Sequence, residues 1–351
     1  MRSGTSSMLI GAAVAAFLVL PAVAGDSGWV TWPTKSYPAN ALRVDSIVGN
    51  VRVNVQDGPM KVDVSGNKDM VNGLTVRTEG NLLHISGSDV ASMDVWDWKK
   101  WFDFSHINDE HNGKLFIKVT VPKGTDVRIE DLVGNATVGD TYGPIRLETT
   151  AGDSTVGRVT QARISMAGSG KTAVADVGGE LRLDIAGSGR VTAGHAGSVR
   201  ADIAGSGDAV LGAISGGLRV DIAGSGDFTA SRVNGPVTVD IAGSGNVKIA
   251  DGVADPLRVD ILGAGDLFFG GNAVNPRISA MGSGNVRIKS YTGSMHNDGM
   301  ADVQIGSMTP PAPPAAPMPP APPSPRMHGV PPAPPAPPVP PRHHGDDDDD
   351  N

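Results

Sequence analysis

The stretch LRVDIAGSGDFTA, residues 218–230, decides the fold because close copies of it recur along the chain. Its glycine-serine-glycine centre, with one alanine in place of serine, occurs seven times, at steps of 19, 18, 19, 19, 20 and 19 residues. A fixed period of this length predicts a solenoid, in which each repeat forms one turn and is stabilised by its neighbours. The leading glycines are Gly168, Gly187, Gly205, Gly224, Gly243, Gly263 and Gly282.

Each copy alternates apolar and polar residues before the glycines, which is the pattern of a half-buried β-strand. The glycines predict a tight corner at which the backbone of one turn stacks closely on the next. We expect the serines between them to form a hydrogen-bonded ladder. The predicted core columns are Leu183, Val220, Val239, Val259 and Ile278 beside Ile185, Ile203, Ile222, Ile241 and Ile261.

The outward positions of the same strands hold an arginine and, two residues later, an aspartate. Carboxylates stacked at ~4.8 Å repel one another by roughly 1 kcal/mol in water, and a neighbouring arginine column offsets that repulsion. We interpret the two columns as a structural ladder, interrupted at Thr238; a row of cation-binding carboxylates is the alternative. The ladder residues are Arg182, Arg200, Arg219 and Arg258 with Asp184, Asp202, Asp221, Asp240 and Asp260.

Weaker copies of the pattern begin at Arg43, Arg128 and Arg146, and other alternating stretches lie between them. The predicted fold class is therefore all-β, a single-stranded β-solenoid or β-helix with turns of about 19 residues. We expect continuous β structure over residues 36–305, with regular repeats over 128–305 and about nine turns.

The first 24 residues have the features of a secretory signal peptide: Arg2, a short apolar run, and Ala22-Val23-Ala24 before Gly25. We predict cleavage between Ala24 and Gly25, export from the cytoplasm, and a linker over residues 25–35. The apolar run is shorter than the ~20 residues a bilayer requires, and no later segment is a candidate span. The mature chain is thus expected to have no transmembrane span.

Composition excludes several classes of function. The 351 residues contain no cysteine, so disulfides, thiolate metal sites and cysteine nucleophiles are absent. The net charge of −8, with basic residues scattered singly, makes nucleic acid an improbable partner. Only 4% of residues are aromatic, whereas glycine is abundant, as in turn-rich β proteins.

Three local motifs suggest chemistry that their context does not support. Gly170-Lys171-Thr172 ends like a phosphate-binding loop, but the glycine required five residues before Gly170 is Ser165. The glycine corners resemble calcium-binding nonapeptides, yet they recur every 19 residues rather than every nine. His195 is a lone turn histidine. We therefore predict no catalytic residue, no metal site and no cofactor.

The order of YPANALRVDSIVGNVRVNV, KLFIKVTVPKGTDVRIEDLVGNATV and the repeated DIAGSGD resembles the putative auto-transporter adhesin family with a head GIN domain. The resemblance covers residues 36–305 and rests on the order of these stretches. It implies a bacterial, exported, β-helical domain, and it supplies no catalytic residues.

An aromatic insertion over residues 90–113 departs from that family pattern. It contains Trp96, Trp98, Trp101, Phe102 and Phe104, flanked by charged residues. Exposed aromatic clusters mark ligand or protein contacts, so the segment is a candidate binding site. We favour the other interpretation, in which it forms a cap that covers the open end of the solenoid.

The composition changes abruptly after residue 305. Residues 306–351 are rich in proline and end in five aspartates, Asp346 to Asp350. Proline cannot complete a strand ladder, so we predict a disordered, extended tail.

The sequence favours an exported binding or structural module in the periplasm or on the outer surface of a bacterium. Carbohydrate or an envelope protein is the expected partner, and the oligomeric state stays open. The alternative function is a carbohydrate-active β-helix enzyme, a polysaccharide lyase or hydrolase. Repeated identical acids form ladders, whereas acid/base catalysis needs carboxylates in different environments, so we favour the non-catalytic module.

Overall fold

The computed structural model describes residues 23–24, 28–87, 115–299 and 302–306. Its first part contains one short helix and eight strands. These are β1 Val23–Ala24, β2 Trp29–Thr31, β3 Lys35–Tyr37, β4 Ala41–Val55, β5 Met60–Asn67, α1 Lys68–Asn72, β6 Thr75–Glu79, β7 Leu82–Ser86 and β8 Leu115–Val121.

The second part contains the remaining strands, and neighbouring turns pair in parallel. The strands are β9 Asp126–Val138, β10 Pro144–Ala151, β11 Ser154–Val156, β12 Gln161–Ser169, β13 Lys171–Val174, β14 Val177–Gly187, β15 Arg190–Ala193, β16 Ala196–Gly205, β17 Asp208–Ile214, β18 Leu218–Gly224, β19 Asp227–Gly243, β20 Asn246–Ile249, β21 Gly252–Gly263, β22 Asp266–Val274, β23 Arg277–Gly282, β24 Asn285–Thr292, β25 His296–Asn297 and β26 Asp302–Ile305.

These strands form a β-solenoid of about nine turns, which confirms the predicted fold class. The register follows the repeats: Arg200 of β16 lies beside Arg182 of β14 on one side and Arg219 of β18 on the other. The weaker copy at Arg43 also belongs to the stack, because β4 pairs in parallel with β9 and places Arg43 beside Arg128.

The N-terminal part departs from the parallel winding of the solenoid and contains antiparallel strand pairs. β5 pairs antiparallel with β8 on one edge and with β2 and β3 on the other, and β6 and β7 form a hairpin. Part of the expected linker over residues 25–35 is therefore strand, and Val30 in it is buried. The end of a parallel stack leaves an open apolar edge, and the antiparallel layer covers it.

The core consists of the predicted inward columns. All ten of the predicted valine, leucine and isoleucine side chains are at most 3% exposed. Burial of each stabilises the fold by roughly 1.5–3 kcal/mol. Because buried and outward residues alternate in the repeated segments, as in β18, the intervening side chains point outward and form the second set of columns.

The corners are built from backbone rather than from serine hydroxyls. Gly224 has a φ of +135°, and a Cβ on Gly226 would lie 2.3 Å from the carbonyl oxygen of Gly207. The serine amides donate to the carbonyl oxygens of the preceding turn, as Ser225 does to Gly205 at 2.8 Å. Ala264 makes the same bond, so the expected ladder does not depend on the serine side chain.

Candidate functional site

One side of the solenoid carries the arginine and aspartate columns, and we call it the charged face. Its arginine column crosses twelve strands, so it is longer than the sequence repeats suggested. A histidine stands at each end of the strands that pair in parallel, and Arg77 of β6 lies beside His84 in an antiparallel pair. In spatial order the column comprises His84, Arg43, Arg128, Arg146, Arg163, Arg182, Arg200, Arg219, Thr238, Arg258, Arg277 and His296.

Ion pairs in the middle of this face run within and between turns. Arg200 Nε lies 3.1 Å from Asp202 on its own turn, and its Nη2 lies 3.5 Å from Asp221 on the next. Arg219 repeats the arrangement at 2.7 Å from Asp221 and 2.6 Å from Asp240. Each such arginine joins two adjacent turns and separates the charges of two aspartates.

The same arrangement holds Arg182, which lies 3.5 Å from Asp184 and 3.6 Å from Asp202. The hydrogen bond to Asp221 is the largest influence on Arg219 and raises the pKa of its guanidinium above the ordinary value. Exposed ion pairs contribute ~0.2–1 kcal/mol each, so the ladder adds modestly to a fold that the core dominates.

A denser polar network occupies the N-terminal end of the charged face. His84 Nε2 lies 2.6 Å from Asp45, and Arg43 lies 3.2 Å from the same carboxylate and 2.8 Å from Glu130. Arg146 extends this network, because its Nε lies 3.3 Å from the Glu130 carboxylate. Sequence analysis missed His84 because the pairing of β4 with β7 brings together residues 39 positions apart.

The ladder is interrupted at Thr238. Asp240 has no arginine on its own turn, and Asp260 has none on the turn before it. Within the described ranges, the side chains of Asp260 and Arg258 make no hydrogen bond or ion pair, although both residues lie in register with their columns. Asp260 is accordingly exposed, whereas Asp221 and Asp240 are half-buried.

An open groove of about 730 Å³ runs beside the aspartate column. Its floor is formed by the residue that precedes each glycine corner, which is alanine in most turns. A methyl group leaves a channel where a longer side chain would fill the space. The floor column comprises Ala167, Ala186, Ala204, Ala223, Ala242, Leu262 and Met281.

Carboxylates line the groove on five of its seven turns. Its lining includes the five ladder carboxylates from Asp184 to Asp260 and contains no lysine or arginine. The arginines lie on the far side of the aspartates, because the order of outward residues in the regular repeats is arginine, aspartate, alanine.

Two large apolar side chains end the floor. Leu262 and Met281 pair in register and are each 64% exposed, more than any other large apolar side chain of the described residues. They lie beside Asp260, at the end of the groove where the ladder is interrupted. This end therefore combines an unpaired carboxylate with exposed apolar surface.

The outward residue that follows each corner varies between turns, yet in several turns it forms hydrogen bonds with the next turn. Asp227 accepts hydrogen bonds from the Asn246 backbone N–H at 3.1 Å and side-chain amide at 2.9 Å. Asp266 holds Asn285 in the same way. Where the preceding turn has Lys171, the Arg190 amide donates instead to the carbonyl oxygen of Gly170.

One carboxylate outside the groove has a perturbed pKa. The Gly252 backbone N–H and, secondarily, Arg232 lower the pKa of Asp251 below the ordinary value of 3.8. Arg232 Nη2 lies 2.6 Å from the Asp251 carboxylate on the next turn. This pair joins turns outside the charged face.

The remaining predicted sites lie mainly outside the described residues. These include the aromatic residues Trp96, Trp98, Trp101, Phe102 and Phe104, and Gly25 of the predicted cleavage site; Ala24 ends β1. His195 Nε2 lies 2.5 Å from the Ser215 hydroxyl. Among the described residues, no cluster of three metal-ligating side chains occurs.

The described part of the chain also contains no helix of the length and apolar character that crossing a membrane requires.

Comparison with known proteins identifies a family. The family model "Putative auto-transporter adhesin, head GIN domain" matches residues 46–273. No curated protein gives a significant sequence match.

Similar solved structures include a "putative adhesin" and a "putative lipid binding protein", both from Parabacteroides distasonis. The first is 17% identical with a TM-score of 0.40 and covers 80% of this chain and 98% of its own. The second is 16% identical with a TM-score of 0.38 and covers 81% and 98%. A "putative adhesin" from Parabacteroides merdae is 12% identical with a TM-score of 0.31 and covers 80% and 98%.

Proposed function

We propose that this chain, which belongs to the family of putative auto-transporter adhesins with a head GIN domain, is an exported, non-catalytic binding module of the bacterial cell envelope. The observation that carries the proposal is the open groove along the charged face. It offers an elongated contact surface on a rigid support, because the strands beneath it are fixed by the stack.

The arrangement of charges supports binding rather than catalysis. Acid/base hydrolysis needs two carboxylates held in different environments so that one is protonated and the other is not. Asp202 and Asp221 instead repeat one environment, each contacted by an arginine of its own turn and one of the turn before. A carbohydrate-active enzyme is therefore the weaker candidate.

Export and surface exposure can be tested on cells. Intact source cells would be treated with protease, and a parallel sample would be treated after osmotic opening of the outer membrane. We expect cleavage in at least the opened sample, with a cytoplasmic protein protected in both. Protection of this chain in both samples would contradict export.

Binding can be tested with the purified full chain and isolated envelopes of the same bacterium. We expect saturable cosedimentation with the envelope fraction and no release of reducing sugars. Polysaccharide turnover that is lost in Asp221→Ala would favour the enzyme instead. The variant Trp96→Ala/Trp98→Ala/Trp101→Ala tests the aromatic segment, which we propose as a second contact; unchanged binding would exclude that contact.

A further inference from the structure

We infer that the groove is a docking site for an extended peptide segment that carries both basic and apolar side chains. This inference deepens the proposed function and rests on it, because it names the partner class of the same surface. Two features specify the occupant: the shape of the floor and the charge of the rim.

The floor is narrow and long. It is one residue wide and crosses seven turns, from Ser165 to Ser279, which is ~29 Å at the spacing of stacked strands. An extended peptide of about nine residues covers that length. A stable interface between two folded proteins buries about 1,200–2,000 Å² and is far broader than this column of single residues. The floor therefore fits a single extended chain.

The charge of the rim selects among extended chains. Five carboxylates from Asp184 to Asp260 line the groove. Arginines on their far side pair with all of them except Asp260, so uncompensated negative charge is concentrated at that end. A nucleic acid would bring phosphate charge against the uncompensated carboxylate of Asp260, and neutral glycans and acyl chains offer no positive charge to pair with it. A peptide with a lysine or arginine side chain at this end complements Asp260, and further basic side chains face carboxylate oxygens along the rim.

The end of the groove provides the anchor. Asp260 lacks the arginine that Thr238 replaces, so its carboxylate is available to a basic side chain of the partner. Leu262 and Met281 beside it offer exposed apolar surface, which is buried when an apolar side chain of the peptide packs on it. A basic residue next to an apolar residue in the peptide satisfies both features.

The chain offers substitutions that remove the anchor with little risk to the fold. Leu262→Ala and Met281→Ala introduce the residue that Ala223 and Ala242 already provide in the same column. Asp260→Asn removes the charge and retains the shape. Matched controls outside the groove are Val253→Ala, at an apolar side chain that is 44% exposed, and Asp298→Asn.

The test uses fluorescence anisotropy with the full chain and a labelled peptide of eight alternating lysine and valine residues. Alternation directs the valines to the floor, and the flexible lysines reach the rim. The control peptide replaces lysine by glutamate. We expect about tenfold weaker binding in Leu262→Ala/Met281→Ala and about threefold to fivefold weaker binding in Asp260→Asn, with both control variants unchanged.

Equal binding of the glutamate peptide, or unchanged affinity in Leu262→Ala/Met281→Ala, would overturn the inference. Displacement of the peptide by palmitate, or self-association that depends on Leu262 and Met281, would also overturn it by identifying another occupant. Envelope binding that persists in the double variant would refute this groove and leave the proposed function intact. Absence of envelope binding in the wild type would refute the proposed function itself.

Discussion

The guanidinium of Arg219 lies 2.6 Å from the carboxylate of Asp240 on the following turn. The same nitrogen lies 2.7 Å from Asp221 on its own turn. One side chain thus links two neighbouring layers of the stack and lowers the repulsion between their carboxylates.

Removal of this link is expected to weaken the stack modestly. Arg219→Ala removes two partly exposed ion pairs and takes a positive charge away from two aspartates. We therefore expect the free energy of unfolding to fall by about 1 kcal/mol. Arg258→Ala is the control, because Arg258 is exposed in the same column and lacks an ion pair among the described residues. Urea unfolding measures both; equal effects would show that the link contributes nothing.

Close packing at the corners makes a second prediction. A Cβ on Gly226 would lie 2.3 Å from the Gly207 carbonyl oxygen and 2.7 Å from the Ile203 side chain. Gly226→Ala is therefore expected to lower the free energy of unfolding by about 1–3 kcal/mol. Ser225→Ala at the exposed neighbouring position should change it by less than about 0.5 kcal/mol. A larger effect at Ser225 would restore a role for the serine hydroxyls.

The outward aspartates after the corners should contribute through their acceptor oxygens. Asp227→Ala removes the acceptor of the Asn246 backbone N–H, and we expect a loss of about 0.5–1 kcal/mol in the free energy of unfolding. Water or a neighbouring carbonyl oxygen can replace this acceptor, which keeps the loss small. Asp227→Asn retains an acceptor and is expected to lose less. Thermal unfolding of the two variants decides whether the acceptor or the charge matters.

Much of the repeating part of the fold could be predicted from sequence because it obeys a local rule. Alternation fixed which residues point inward, and the period fixed their stacking, so Val220 and Ile222 were placed in the core. The antiparallel strand β5 could not be predicted from this rule. Its partners β2 and β8 are distant in sequence. Their pairing with β5 covers the open N-terminal end of the solenoid, which a repeat pattern does not describe.

The groove was less predictable, although its signal was present in the sequence. Alanine precedes the corner glycines in successive copies, and Leu262 and Met281 replace it near the end. From the period and the alternation, the residue before each corner glycine is assigned to the corner. These patterns do not show that its small side chains form the floor of a groove. The link between turns, from Arg219 to Asp240, likewise depends on side-chain geometry that a repeat alignment does not contain.

The ion pair between Arg232 and Asp251 predicts that stability depends on pH. A lowered folded-state pKa means that Asp251 stabilises the fold above the ordinary carboxyl pKa of 3.8 and loses this contribution as the pH falls through the lower, folded value. Asp251→Asn should therefore be less stable than the wild type at pH 7, with a difference that shrinks as the pH falls below the ordinary value. Urea midpoints measured at several pH values test this.

Arg232→Ala serves as the control for that experiment. The Gly252 backbone N–H is the larger cause of the lowered pKa, so loss of Arg232 should remove only part of the pH-dependent difference. A difference between the wild type and Asp251→Asn that stays constant from pH 7 to pH 2 would contradict the assignment.

Thr238→Arg tests most directly whether the charged face both supports the stack and leaves a binding end at its interruption. An arginine at this position restores the partner that Asp240 lacks on its own turn and the partner that Asp260 lacks on the preceding turn. We expect the free energy of unfolding to rise by about 0.2–1 kcal/mol, while the lysine-valine peptide binds more weakly because Asp260 is now neutralised. A variant that gains stability and binds the peptide as tightly as the wild type, or one that loses stability, would contradict this account.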